Sequence, residues 1–282
     1  GKLSADEMQE RARIFIMKPY QNRIVVKVGT STLTNELGKS DLRCFDRLAC
    51  VLSDIQNMGY EVILVSSGAI AVGRNKLKMK TQPTSMRHKQ AAAAVGQCSI
   101  MFLYDKFFGD YDKTIGQILL NAEDIEQEEK KDNLINTFDA LLEMGVIPIV
   151  NENDSISSTE IENEKKLFSD NDTLSAIVAI LTKASKLILL SDIDGLYSED
   201  PRNNPDAKII HRVEKIDDKI RALASGSGSN RGTGGMVSKL DAAEMVTSKG
   251  IDMVIAHGSK PENIFKILDG EEIGTFFKGT EL

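Results

Sequence analysis

The sequence has 282 residues, of which 41% are hydrophobic and 27% are charged, as in an ordinary globular protein rather than a disordered or fibrous one. Its net charge of −7 and pI of about 5.2 argue against a general nucleic-acid binder, which would present a basic surface. Three cysteines without a C-x-x-C pair, and no apolar run near the ~20 residues of a membrane helix, indicate a cytoplasmic protein with reduced thiols and no membrane partner.

Short apolar segments alternate with segments of helical periodicity along the chain. The predicted strands are 23–29, 61–66, 114–120, 146–150, 186–190 and 252–256. The predicted helices are 41–58, 85–104, 132–144, 171–182, 236–249 and 261–268. This alternation predicts an α/β fold in which helices cover both faces of a parallel sheet, and the runs VVKV, VILV and LILL lack the polar alternation of a half-exposed strand. The polar stretches 155–169 and 198–208 are predicted to be loops or hairpins.

The first polar cluster lies in the first predicted strand. Lys27 interrupts an apolar run, and lysine is almost never fully buried without a partner. Gly29 lets the backbone come close to a ligand. The cluster therefore predicts a lysine at a ligand site, with the alternative that Lys27 lies on an edge strand and extends its ammonium group to water.

The second polar cluster joins the strand 61–66 to the helical segment that follows it. Ser66, Ser67 and Gly68 are small residues at a helix start, where free N–H groups and the helix dipole favour an anion. An ordinary N-cap serine is the alternative interpretation.

Two clusters rich in amides and carboxylates flank a short polar stretch, at 151–154 (NEND) and 170–173 (DNDT). Either one alone is typical of a turn, but two together suggest a site that holds an ammonium or carboxylate ligand or orients lysines. A hard metal ion is conceivable, although the glycine and terminal glutamate of an EF-hand are missing. We assign no metal ligand.

A glycine-rich loop at 232–235 opens the helix that carries Lys239, which suits phosphate binding. It is not a P-loop, because Ser238 precedes Lys239 and Leu240 follows it. A flexible loop is the alternative interpretation. Ser191 and Asp192 end the run LILL, where either a plain turn or a contact with a nucleotide is possible.

The motifs VVKVGTS, VSSGAIAVG, AVGQ, VNEND, DNDTLSA, LLSDIDGLY, DPR and GTGGMVSKL, in this order, resemble those of the glutamate 5-kinases of the amino acid kinase family, over residues 23–277. The resemblance implies a three-layer α/β/α sandwich around a mainly parallel open sheet of about eight strands. It also implies an ATP-dependent enzyme that phosphorylates the side-chain carboxylate of L-glutamate, with Mg²⁺ carried on the ATP phosphates.

The resemblance also implies roles for particular residues. Lys27 and Lys239 would flank the transferred phosphoryl group, and Asp172 would hold both lysines in place. The glutamate-binding residues would be Ser67, Asp154, Asp170 and Asn171. The nucleotide-binding residues would be Lys27, Ser191, Asp192, Thr233, Gly234, Gly235, Met236, Val237, Ser238 and Lys239.

For the whole chain, we expect an N-terminal extension at 1–22, an amino acid kinase domain at 23–282 and no C-terminal PUA domain. Family members are proline-inhibited oligomers, so proline is the expected feedback inhibitor and a homo-oligomer the expected assembly. Two alternatives stay open: a kinase of acetylglutamate, aspartate, carbamate or UMP, and a catalytically silent amino-acid sensor. Retention of Lys27, Asp172 and Lys239 argues against a silent sensor.

Overall fold

The computed structural model describes residues 20–35, 38–156, 170–225 and 235–281. The described strands are β1 (Tyr20–Val28), β2 (Glu61–Ser66), β3 (Ile115–Leu120), β4 (Ile147–Glu152), β5 (Ala184–Ser191), β6 (Arg212–Val213), β7 (Asp252–His257) and β8 (Thr275–Phe277). They form one eight-stranded sheet in the order β3-β4-β2-β1-β5-β7-β8-β6. The neighbouring strands are parallel except for the antiparallel pair β7 and β8, so the predicted mainly parallel sheet is confirmed.

The described helices are α1 (Thr30–Leu33), α2 (Leu42–Asn57), α3 (Ala69–Lys76), α4 (Met86–Asp110), α5 (Ala122–Glu126), α6 (Glu128–Glu143), α7 (Asn171–Leu181), α8 (Asp218–Ser225), α9 (Met236–Thr247) and α10 (Asn263–Leu268). Each predicted strand and helix has a counterpart here. The pattern missed α1, α5, α8, β6 and β8, and it ended α4 too early and began α6 too late. None of the described helices combines the length and apolar character needed to cross a membrane.

Two hydrophobic clusters lie on opposite faces of the sheet. Alternate residues of β1 point to each, with Val25 in one cluster and Val26 in the other. The first cluster packs the sheet against α6, α7 and α9, and the second packs it against α2, α4 and α10. Burial of apolar side chains on both faces explains why the central strands read as continuous apolar runs. The result is the expected three-layer sandwich.

Helices α3 and α4 touch through their backbones. A Cβ atom on Gly96 would lie 1.6 Å from the carbonyl oxygen of Ala69, and one on Gly73 would lie 1.7 Å from that of Ala92. Only glycine allows so close an approach. Because α3 follows directly on Ser67 and Gly68, this contact ties the position of α4 to the end of β2.

The amino ends of the strands are held by Arg23, which is 3% exposed. Its guanidinium donates to Glu61 Oε2 at 2.7 Å, to Asp139 Oδ1 at 3.0 Å and to the carbonyl oxygen of Thr182 at 2.7 Å. One side chain thus links β1, β2, α6 and the end of α7. The polar clusters identified in the sequence lie at the opposite, carboxyl ends of the strands.

Candidate active site

Three charged side chains that are far apart in sequence meet above the carboxyl end of β1. Lys27 Nζ lies 2.9 Å from Asp172 Oδ1, and Lys239 Nζ lies 3.1 Å from Asp172 Oδ2. The Asp172 side chain is 1% exposed, that of Lys239 7% and that of Lys27 12%. The carboxylate therefore lies between two ammonium groups that keep only a narrow opening to solvent.

The fold explains how this centre forms. Strand β1 pairs with β2 on one side and β5 on the other, so the alternative of an edge-strand lysine is wrong for Lys27. Asp172 occupies the first turn of α7, where the helix dipole favours an acidic residue. Lys239 occupies the first turn of α9, where the dipole disfavours a cation, and the ion pair with Asp172 offsets that cost.

Asp172 is held as an anion. Burial alone would raise the pKa of its carboxyl group, but the charges of Lys27 and Lys239 together with their hydrogen bonds outweigh burial and lower the pKa below its ordinary value. Near neutral pH, the centre thus carries two positive charges and one negative charge. A net positive, largely dry site is suited to an anionic group such as a phosphoryl group.

Ser238 adds a third contact to this carboxylate. Its hydroxyl donates to Asp172 Oδ2 at 2.9 Å. From the sequence, Ser238 was expected only to bind the nucleotide. The structure also places it against the residue that joins the two lysines.

An amide cluster lies next to the charged centre. Asn171 Nδ2 donates to Ser67 Oγ at 2.7 Å and to Asn151 Oδ1 at 3.2 Å. The structure therefore brings together the carboxyl ends of β2 and β4 and the start of α7, as the sequence predicted. Asp170 is the N-cap of α7, and its Oδ1 accepts from Thr173 N at 2.9 Å.

A cleft of about 410 Å³ opens beside this cluster. It contains Asp154, and its other lining residues are Ala69, Ala93, Ala94, Gln97, Cys98, Gln117, Leu119, Glu152, Asn153 and Ser155. Among the described residues that line it, two are acidic and none is Lys, Arg or His. Gln97 and Gln117 received no role from the sequence: the AVGQ motif contains Gln97 but names no chemistry for it, and Gln117 lies in an otherwise ordinary strand.

The candidate nucleotide residues are placed only in part. Ser191, the last residue of β5, donates through Oγ to Asp192 Oδ1 at 3.2 Å, and β5 is the strand that neighbours β1. Gly235 is the N-cap of α9, Met236 is buried and Val237 is 51% exposed. Thr233 and Gly234 lie outside the described residues.

Other candidate groups can be described briefly. All three cysteines are free thiols, with Cys44 and Cys50 partly buried and Cys98 exposed. Across the described ranges, no group of three or more His, Cys, Asp or Glu side chains is placed to hold a metal ion.

Comparison with known proteins shows which family the chain belongs to. Residues 22–257 match the profile of the amino acid kinase family. The chain is 57% identical over 255 residues to a glutamate 5-kinase of Clostridium perfringens, which covers 90% of this chain and 94% of that protein. It is 49% identical over 255 residues to a glutamate 5-kinase of Listeria monocytogenes, which covers 90% of this chain and 92% of the relative.

Solved structures agree on the fold. A carbamate kinase from Giardia lamblia bound to AMP-PNP superimposes with a TM-score of 0.64 at 16% identity, covering 92% of this chain and 99% of that one. An isopentenyl phosphate kinase from T. acidophilum gives a TM-score of 0.61 at 17% identity, covering 91% and 100%. At these identities the likeness concerns the fold alone.

Proposed function

Because the chain belongs to the amino acid kinase family, we propose that it is an ATP-dependent glutamate 5-kinase, which makes L-glutamyl 5-phosphate in the first step of proline biosynthesis. The observation that carries this proposal is the pair of lysines held by Asp172 beside an amide cluster and an acidic cleft. The name shared by relatives at 49–57% identity supports it.

In the proposed reaction, an oxygen of the glutamate side-chain carboxylate attacks the γ-phosphorus of ATP. The bond from that phosphorus to the β,γ-bridging oxygen breaks, and ADP leaves. Lys27 and Lys239 stabilise the charge on the phosphoryl group, and Asp172 keeps them in place. The side-chain carboxyl group has an ordinary pKa of about 4.3, so no base is needed to activate it near neutral pH.

Glutamate would lie with its side chain toward the lysines and its α-carbon toward the cleft. Asn171 precedes Asp172 in the chain and donates to Ser67, which is two residues from the cleft residue Ala69, and Asp154 lines the cleft. The carboxylates of Glu152 and Asp154 lie in a cleft whose described lining residues include no cation, which favours a substrate with a free ammonium group. N-acetylglutamate, carbamate and UMP lack that group, which favours glutamate or aspartate among the acids considered.

ATP would be held by Lys27, Ser191, Asp192 and the loop and helix start formed by residues 233–239. Magnesium would arrive on the ATP phosphates, since the protein groups facing the transfer site are lysines, and would neutralise part of the phosphate charge when bound. Asp170 would act through the start of α7, which it caps.

A panel assay tests the proposal. ADP formation is measured with L-glutamate, L-aspartate, N-acetylglutamate, carbamate and UMP, and the acyl phosphate is trapped as a hydroxamate. We expect turnover with glutamate and MgATP to exceed that with every other acceptor. Equal or better turnover with another acceptor contradicts the assignment, and glutamate binding without ADP formation would identify a sensor.

Regulation and assembly rest on the family resemblance. We propose a cytoplasmic homo-oligomer inhibited by proline. Proline should raise the apparent KM for glutamate, and light scattering should give a mass above that of one 31.0 kDa chain.

A further inference from the structure

Four side-chain amides form a continuous hydrogen-bonded chain from the cleft to Ser67, which we call the amide relay: Gln117, Gln97, Asn151 and Asn171. Gln97 Nε2 donates to Gln117 Oε1 at 3.2 Å, and Asn151 Nδ2 donates to Gln97 Oε1 at 3.1 Å. Asn171 Nδ2 then donates to Asn151 Oδ1 at 3.2 Å and to Ser67 Oγ at 2.7 Å. The relay joins β3, α4, β4 and α7.

One backbone group fixes the direction of every bond in the relay. The N–H of Glu152 donates to Asn151 Oδ1 at 2.9 Å, and a backbone N–H can only donate. Asn151 must therefore present its oxygen to Glu152 and Asn171, and its nitrogen to Gln97. Gln97 then accepts through Oε1 and donates onward to Gln117, whereas Asn171 is forced to donate through Nδ2.

This direction determines what the site offers to a ligand. Ser67 Oγ accepts from Asn171, so its hydroxyl hydrogen remains able to donate to a carboxylate oxygen. Both hydrogens of Asn171 Nδ2 are used in the bonds to Ser67 and Asn151, so Oδ1 is the atom that can accept a hydrogen bond from a ligand. An amino acid carries both carboxylate and ammonium groups, and a reversed Asn171 would present the wrong group to each.

We propose that Gln97 is a positioning residue for the amino-acid substrate, acting through Asn151 and Asn171. Asn151 is 3% exposed, so without Gln97 its buried nitrogen would lose its acceptor. Its amide would then turn to recover a bond, and Oδ1 would no longer hold both Glu152 N and Asn171. The inference rests on the proposed function only for the identity of the acid.

Gln97→Met tests the proposal, because methionine is of similar length and offers neither a strong donor nor a strong acceptor. Kinetics are measured with whichever acid the wild type turns over best, so a wrong acid and a wrong relay are separate results. We expect KM for that acid to rise about tenfold, the effect of losing about one hydrogen bond, with kcat and KM for ATP changing by less than about twofold. Gln56→Met is the matched control, since Gln56 donates to Gly145 O on an exposed part of α2.

A double-mutant cycle distinguishes positioning from direct contact. If Gln97 acts through Asn171, Gln97→Met should add little to KM in an Asn171→Ala background. Where turnover of that background is too slow, the dissociation constant of the acid from calorimetry completes the cycle. Independent, multiplying effects of the two substitutions would overturn the proposal, as would an unchanged KM in Gln97→Met or equal shifts in both substrates' KM.

Discussion

At the scale of single residues, three charged side chains meet at the candidate site: Asp172 and Lys239 are buried, and Lys27 is 12% exposed. Two ammonium groups about 4 Å apart would repel each other by about 4 kcal/mol at an intermediate dielectric constant, and a carboxylate between them offsets this. Asp172 contacts both lysines and Ser238. Asp172 therefore acts through its charge and its position, which leads to three predictions.

The first prediction concerns the rate. In the proposed mechanism, Asp172→Asn should lower kcat by about 10²–10³, because the lysines would lose the anion that is proposed to hold them at the phosphoryl group. The substrate carboxylate is already ionised, so the shape of the kcat profile between about pH 6 and 8 should not change. An acidic limb that is present in the wild type and abolished in Asp172→Asn would instead identify a general base.

The second prediction concerns stability. Asp172→Asn leaves the buried ammonium group of Lys239 and the largely buried one of Lys27 without their anion, and it should lower the free energy of unfolding by about 3–5 kcal/mol, as for other broken buried pairs. Lys27→Met leaves the pair of Asp172 and Lys239 intact and should cost less. Urea unfolding of both variants and the wild type at pH 7 provides the comparison.

The same pair predicts a pH dependence. A carboxyl group whose pKa is lowered on folding contributes stability that is fully present above its unfolded pKa and lost as pH falls through the folded value. For Asp172, folding lowers the pKa below the ordinary value of 3.8, so this loss of stability is confined to pH values near and below 3.8. The difference between wild type and Asp172→Asn should hold from pH 7 to pH 5, and a gap that closes within this range would contradict the burial of the ion pair.

At the scale of elements, the sequence predicted the long helices and the apolar strands because their periodicity extends over many residues. β6 and β8 have two and three residues, too few for a pattern, and α8 follows a polar stretch without a clear start. The site clusters were predictable because each lies in a strand, directly after one, or at the start of a helix. The amide relay was not, since Gln97 and Gln117 resemble ordinary surface residues until the sheet order brings β3 beside β4.

The contact between α3 and α4 could not be predicted either, because in the sequence a glycine inside a helical segment indicates only a lower helix propensity. Gly96→Ala would place a methyl group 1.6 Å from Ala69 O and force the helices apart. We expect a loss of about 1–3 kcal/mol in unfolding free energy and a higher KM for the acid, because only Gly68 separates Ser67 from the start of α3.

Gly109→Ala is the matched control within the same helix. A Cβ atom there meets nothing within 4 Å. It should stabilise the protein by about 0.5–1 kcal/mol and leave KM unchanged. Thermal unfolding and substrate titration of the two variants check both outcomes, and equal behaviour would show that the close approach has no consequence for the site.

At the scale of the whole molecule, the amino ends of the strands carry the stabilising contacts of Arg23, and the carboxyl ends carry the candidate site. Arg23→Met should lower the free energy of unfolding by about 3 kcal/mol, because removing one partner of a buried ion pair costs about 3–5 kcal/mol and Glu61 and Asp139 partly reach water. The kinetic constants should stay as they are, since the site lies at the other end.

An exposed arginine serves as the comparison for Arg23. Arg47 pairs with Glu262, with both side chains 49% exposed, so Arg47→Met should cost at most about 1 kcal/mol. Chemical denaturation compares the unfolding free energies of the two variants. A change in kcat or KM in folded Arg23→Met would show that the two ends of the sheet are coupled.

The sheet order also determines which strand edge stays unpaired while the chain is being synthesised. Asp172 and Lys239 are 67 residues apart, so at about 5–20 residues per second roughly 3–13 seconds pass between their synthesis. During much of that time β5 has emerged but its neighbour β7 has not. The nascent chain then presents the run LILL along an open strand edge, which is the kind of surface that aggregates. A chaperone that binds extended apolar segments would therefore bind the chain most readily after β5 has been made and before β7 has.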